Sequence, residues 1–335
     1  MQDGSMKRRE FIAGLLVAAS LRPARAQQAA KVHRIAYVTL AIPIAEMTET
    51  SSFPYVRAFF NELRRFGYIE GPNLIVERYS VERPTVELAR EMLRSKPDVI
   101  FSIGQWTRIL KPLTSIPIVA GLADPVGSGL VASLDHPGGN ITGATIDAGP
   151  EVEGKRLEIL KEAFPQASRV GVLAGRFPGL GTSPHGERRH EAAQRLGLLL
   201  LAPRLESSLQ ETEYRRFFEV MAQEHADSLF VGLEVESWGH RRLIVELAEK
   251  HRLPAIYPYR DYVEAGGLMA YSNNFVEQWT RAAECIAQIL NGASPGDIPI
   301  YQAAKFELVI NVKAAKALGL TIAHTLLARA DEVIE

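Results

Sequence analysis

Short runs rich in β-branched and aromatic residues alternate along this chain with longer stretches whose apolar positions recur every three or four residues. Arg34-Ile35-Ala36-Tyr37-Val38-Thr39 reads as a strand, and Val56, Phe59, Phe60 and Leu63 then fall on one face of a helix from Tyr55 to Phe66 that Gly67 ends. Leu74 to Val76, Val99 to Ile103, Ile116 to Ala120 and Ile141 to Ala144 are predicted as further strands, with helices over Val86 to Leu93 and Trp106 to Leu113 between them. Strands that reach their neighbours through helices build a parallel sheet covered on both faces, so the pattern constrains the chain to an α/β fold.

The alternation restarts after Ala148-Gly149-Pro150. Helices are predicted over Glu151 to Ala163, Gly186 to Leu196, Glu213 to Gln223 and Trp238 to His251; strands over Val170 to Leu173, Ser228 to Val231, Ala255 to Tyr257 and Leu268 to Tyr271, with an apolar run at Leu198 to Leu201. Two βα series of similar size predict two lobes built alike, although no clear sequence repeat relates them. About sixty residues then remain, too fragmented for a third domain. They hold an amphipathic helix from Phe275 to Leu290, a breaker at Asn291 to Gly296, a strand over Glu307 to Ile310, and helices over Lys313 to Leu318 and Thr325 to Val333. These pieces must complete sheets begun earlier. Lobe 1 is therefore expected to comprise 32–146 plus about 272–298, and lobe 2 147–271 plus about 304–335, joined by a multi-strand hinge.

The first 26 residues differ from the rest. Lys7-Arg8-Arg9 precedes an apolar run from Phe11 to Ala19, and Ala24-Arg25-Ala26 supplies small residues at cleavage spacing, which reads as an export signal with a twin-arginine character, cleaved near Ala26. The run is far shorter than the ~20 residues a membrane span requires. Its loss removes Lys7, Arg8, Arg9, Arg22 and Arg25 against Asp3 and Glu10, and moves the formal net charge from −1 to −4. A mildly acidic chain lacks the basic field of a nucleic-acid binder. Cys285, the single cysteine, excludes an internal disulfide and reads as a buried small residue of a helix.

The stretch Ile116 to Gly143 brackets a long Gly/Pro/Asp/Asn run between two strands, and loops at strand ends hold the ligand in open α/β sheets. No Gly-x-Ser-x-Gly elbow, P-loop or His-Glu-x-x-His motif accompanies it, and Gly127-x-Gly129 is too short for a phosphate loop. His185 and His190, five apart in a Gly/Pro-rich segment, are not spaced as metal ligands. No catalytic residue, cofactor or metal is expected.

Several segments together resemble the solute-binding proteins of ABC transporters whose better-known members bind tryptophan, tyrosine or phenylalanine. They are Leu63 to Gly71, Lys96 to Ile100, Asp124-Pro125-Val126-Gly127-Ser128-Gly129-Leu130-Val131 with Pro137 to Gly143, Gly154-Lys155-Arg156-Leu157, Arg252 to Tyr257, Glu264 to Met269 with Tyr271, and Lys305 to Asn311. The resemblance runs over nearly the whole chain beyond the export signal. It implies a type I periplasmic-binding-protein fold with flavodoxin-like lobes joined by a three-crossing hinge, a small organic solute clamped between them, hinge closure, and a periplasmic monomer that serves an ABC permease in the inner membrane. An exported enzyme using the same cleft, or a ligand-sensing partner of a membrane receptor, are the alternatives.

An amino-acid ligand brings a carboxylate that suits N–H groups at a helix start and an ammonium that needs a carboxylate. Thr39 ends the first strand. Ser102, Gly104, Gln105 and Thr107 precede or open the third helix and are candidates for the anion. Asp124, beside Pro125, either accepts from the ammonium or caps a helix over Val126 to Leu134. Glu234 lies at the matching end of lobe 2. Trp106, Phe177, Tyr257, Tyr259 and Tyr271 are candidate aromatic walls, of which two or three are expected to touch ligand, and Arg176 is a candidate clamp for an acidic ligand. Gly104-Gln105-Trp106-Thr107 and Ala174 to Gly179 depart from the Gly-Thr and Asn/Pro turns of relatives, so the relatives' amino-acid specificity does not carry over through these loops.

Overall fold

The computed structural model describes residues 31–40, 42–81, 84–146, 149–174, 183–203, 205, 210–233, 235–302 and 305–335. The predicted export signal and the candidates Arg176, Phe177 and Glu234 lie outside them. From His33 onward the chain is one compact unit.

The first half alternates strand and helix: β1 (His33–Thr39), α1 (Pro54–Arg65), β2 (Leu74–Ser80), α2 (Val86–Leu93), β3 (Val99–Ile103), α3 (Trp106–Leu110), β4 (Ile118–Leu122) and β5 (Ile141–Thr145). These strands form a parallel sheet in the order β2-β1-β3-β4-β5. Alternate residues of a strand point to opposite faces. Thus Ile35 and Tyr37 pack toward α1 with Val56, Phe59 and Phe60, while Ala36 and Val38 join Met92, Trp106 and Leu110 on the other side. The central strands read as unbroken apolar runs because both faces are covered. The edge strand β2 instead carries Glu77 and Arg78, charges that discourage pairing with another chain.

The second half gives α4 (Glu151–Ala163), β6 (Arg169–Leu173), α5 (Pro184–Leu196), β7 (Leu199–Leu201), α6 (Glu211–Gln223), β8 (Ser228–Val231), α7 (Val235–Gly239), α8 (Arg241–Lys250), β9 (Ala255–Tyr257), α9 (Arg260–Glu264) and β10 (Met269–Asn273). It continues with α10 (Phe275–Leu290), β11 (Phe306–Asn311), α11 (Val312–Ala317), α12 (His324–Leu327) and β12 (Glu332–Ile334). Strands β7-β6-β8-β9-β10 repeat the order of the first sheet, after which β11 adds antiparallel to β10 and β12 parallel to β11. The fold is two α/β lobes of the same winding.

Helix boundaries follow local chemistry. Thr85 accepts from the Leu88 N–H and opens α2; Ser183 does the same for α5, which stops at Gly197 in the left-handed region, φ +66°. The Asn274 side chain accepts from the Glu277 N–H (3.1 Å) and starts α10 just past β10. Although it follows the second sheet in sequence, α10 packs on the first: Trp279 donates to the Tyr37 hydroxyl (3.3 Å) and lies 5.0 Å from the Tyr55 ring. The chain therefore crosses between the lobes after β5, between β10 and α10, and after Tyr301, whose N–H bonds Gly143 O at the edge of the first sheet. The Asn273 amide donates to Ile146 O (3.5 Å), tying the first two crossings together.

Four predicted elements change and one is added. Val126 to Leu134 is a run of turns, because Gly129 sits at φ +68° and the Leu130 and Val131 N–H groups fold back onto Pro125 O. The third helix ends at Leu110 rather than Leu113. The predicted helix over Thr325 to Val333 is instead the short α12 followed by β12, since Val309, Ile310 and Asn311 of β11 offer a free edge for Glu332 to Ile334. Helix α9 was not expected, and the helix predicted over Trp238 to His251 is divided between α7 and α8 at His240.

Candidate functional site

In a sheet of order 2-1-3-4-5 the helices change face between β1 and β3, and the split there leaves a crevice at the carboxyl ends of the strands. The last residues of those two strands, Thr39 and Ile103, lie in it. From the same lobe Ile42 follows β1, and Tyr55 comes from the first turn of α1. Trp238 of α7 and Tyr259 reach in from the other lobe, and Ile146, Phe275 and Trp279 close the pocket from the crossings. The space between these walls, open solvent at the mouth included, is about 480 Å³. It is a narrow cleft between two lobes.

The walls are mainly aromatic and mutually packed. Phe275 lies 5.5 Å from Trp279, 5.1 Å from Tyr259 and 5.9 Å from Tyr55 between ring centroids, the last nearly edge-on at 80°. Such packing fixes ring orientation in advance, so little freedom is lost when a ligand arrives. The polar tips point outward to protein partners: Tyr259 donates to Leu233 O (2.8 Å), Trp279 to Tyr37, and Tyr55 to Asp261 Oδ1 across the lobes (3.3 Å). Thr39 is the remaining lining residue with a polar side chain.

Asp261, in the first turn of α9, is buried. Burial pushes its carboxyl above the usual carboxylate range, against the opposing pull of the Arg241 guanidinium and of hydrogen bonding from Trp238. The Tyr55 hydroxyl is driven well up by its own burial and by the neighbouring acid, so it stays a donor at every physiological pH. Arg241 stacks over Trp238 (4.3 Å) and Phe53 (5.5 Å).

The other sequence candidates are dispersed. Trp106 is fully buried beneath the cleft, its indole N–H donating to Thr39 O (3.1 Å), so it braces the end of β1 without lining the pocket. Ser102 is hydrogen-bonded to Thr107, and Gln105 is exposed. Gly104, at φ +73°, holds a backbone conformation that residues with side chains rarely adopt. Asp124 is exposed with its Oδ1 accepting from the Gly127 N–H (2.8 Å), while Pro125 is buried; both cap their own turn. Tyr257 stacks on Tyr262 (4.9 Å) inside lobe 2, and Tyr271 stacks on Phe306 (5.6 Å). Of the candidates within the described residues, Thr39 and Tyr259 reach the pocket.

Sequence reading missed Tyr55, Phe275 and Trp279 as site residues because their helical spacing marks them equally as core. It missed Asp261 because α9 is a single short turn; the signal was Tyr257-Pro258-Tyr259, a strand broken by proline at the cleft end of the sheet.

Fold and cleft together are those of the two-lobed type I periplasmic-binding class. More specifically, the chain belongs to the ABC transporter substrate binding protein family, whose model matches residues 47–334. It is 24% identical over 286 residues to a tyrosine-binding protein of Clostridioides difficile, covering 83% of this chain and 81% of the relative. A conserved domain protein from Vibrio cholerae has the same fold, with a TM-score of 0.77 and 25% identity over 90% of this chain and all of that one. So does an ABC domain in complex with L-Trp from Streptococcus pneumonia, at TM-score 0.75 and 22% identity over 91% of this chain and all of that one. Among the described residues no helix is long and apolar enough to cross a membrane, and no group of His, Cys, Asp and Glu could hold a metal ion.

Proposed function

We propose that this protein binds an amino acid with an aromatic or large apolar side chain in the interlobe cleft and presents the closed form to an ABC permease of the inner membrane. The observation that carries the reading is the pocket wall itself, in which Tyr55, Trp238, Tyr259, Phe275 and Trp279 converge from both lobes and the crossings. Rings held in that way suit a flat apolar group, and the few polar groups among them leave the hydroxyls of a sugar or the charges of a polyanion without partners. The names of the relatives, tyrosine-binding and L-Trp-bound, support the same ligand class.

In this reading the lobes, 32–146 with about 272–298 and 147–271 with about 304–335, move as bodies about the three crossings. Ligand contacts to both sides stabilise the closed arrangement. The protein acts as a monomer in the periplasm after removal of a signal ending near Ala26. Thr39, at the tip of β1, is the proposed polar contact to the ligand backbone.

Calorimetric titration of the protein, unfolded and refolded to strip carried-over ligand, tests this against tryptophan, tyrosine, phenylalanine, leucine, alanine and glutamate. Micromolar or tighter binding is expected for at least one of the first three, and binding of none of the three sinks the reading.

A further inference from the structure

The lobes meet along one side of the cleft through two kinds of contact. Phe53 packs on Trp238 (5.6 Å) and beneath Arg241 (5.5 Å), contacts that tolerate sliding. The Tyr55 hydroxyl donates to Asp261 Oδ1, a directional bond between residues 206 positions apart, both buried. Directional bonds define a register that apolar contacts do not.

We propose that the Tyr55–Asp261 bond is the catch that sets the closed register of the lobes, joining the ring of Tyr55 that walls the pocket to the other lobe. This rests on the solute-binding reading of the cleft.

Three features support it. First, the two ends of the catch are joined to the pocket: the Tyr55 ring lines it directly, and Asp261 lies in the first turn of α9, whose N-cap residue Tyr259 lines it from the other lobe. A solute touching both rings therefore touches both halves of the catch. Second, the charge of Arg241, in the same lobe as the acid, acts on Asp261, so this attraction persists when the lobes separate. Third, Tyr55 is stacked on Phe53 (5.5 Å, 19° between planes) and packed against Trp279, which leaves its hydroxyl aimed at Asp261 with the ring unable to turn aside. At 3.3 Å the bond is longer than an ordinary O–H···O contact, and a solute drawn against Tyr55 and Trp238 has room to shorten it.

The catch is made by protein groups alone, so it is tested in protein free of added amino acid as well as with it. Spin labels on Arg90→Cys and Glu246→Cys, exposed positions on α2 and α8, report the interlobe distance, while buried Cys285, its thiol pushed up to about 11, stays unlabelled. Tyr55→Phe keeps the ring and removes the donor. It is expected to shift the distance distribution outward without amino acid and to weaken binding of tryptophan about tenfold, through faster dissociation. Asp261→Ala should do the same, and the double variant no more than either. A Tyr55→Phe distribution identical to the parent protein's overturns the proposal, as does full additivity of the two substitutions. Should the parent bind no amino acid at all, the solute reading fails, and the amino-acid-free comparison of Tyr55→Phe with the parent still decides the catch.

Discussion

Glu153 is the most demanding single side chain in the molecule. It is fully buried in the first turns of α4, with Arg189 Nε 2.7 Å from its Oε2, Arg156 3.5 Å from its Oε1, and His185 3.7 Å from Oε1. Burial alone would raise its carboxyl; the His185 ring 3.7 Å away and the two guanidiniums outweigh this and bring it down to about 2. A depressed acid contributes stability that is complete above its unfolded value of 4.5 and is lost as pH falls through the folded one. The loss between pH 5 and 2 is expected to be on the order of 3 kcal/mol from this group. Glu153→Gln should lower stability at pH 7 by about 3 to 5 kcal/mol and flatten the acid limb of the denaturation profile, both measurable by urea unfolding across pH. An unchanged acid limb would show that other carboxylates control it. At the cleft, Thr39→Val keeps the shape of the residue and removes its hydroxyl. It should weaken ligand binding by about 1 kcal/mol, a net hydrogen bond, with little change in melting temperature, and equal affinity would remove Thr39 from the ligand contacts.

At the level of elements, the tightest joint is between β4 and β5. Gly143 has φ +140°, and a methyl group there would lie 2.1 Å from Ala120 O. Gly143→Ala is thus expected to cost about 3 kcal/mol or more, since backbone rather than a side chain must yield; chemical denaturation reads it directly. Legibility of the elements tracked how much each depends on its neighbours. Val99 to Ile103, Glu151 to Ala163 and Phe275 to Leu290 were bounded correctly because periodicity, caps and breakers all act locally. The strand at Glu332 to Ile334 was not legible, because its conformation comes from the edge of β11 and not from its own sequence. The turns after Asp124 were misread as a helix for the opposite reason: the apolar residues Val126, Leu130 and Val131 have helical spacing, and only the left-handed Gly129 breaks it. The same dependence governs the site. Thr39 was found because strand ends at a switch point are predictable from topology. Tyr55, Trp238 and Trp279 were not, because their convergence needs the two lobes and the late helix to be placed together.

For the whole molecule, the solute-binding reading predicts that a saturating aromatic amino acid reduces the radius of gyration in solution scattering, while leaving each lobe's secondary structure, by circular dichroism, unchanged. A ligand that binds without compaction would separate binding from closure. The return of α10 to the first sheet has a further consequence for how such a chain comes into being. Tyr37, Tyr55 and Phe101 receive Trp279 only when nearly all of the sequence exists, and the second sheet receives β11 later still. Neither lobe can finish its core during synthesis. A fragment ending at residue 150 should stay largely unfolded, and the chain commits to structure as a whole, late, with its two halves maturing together rather than in order of birth.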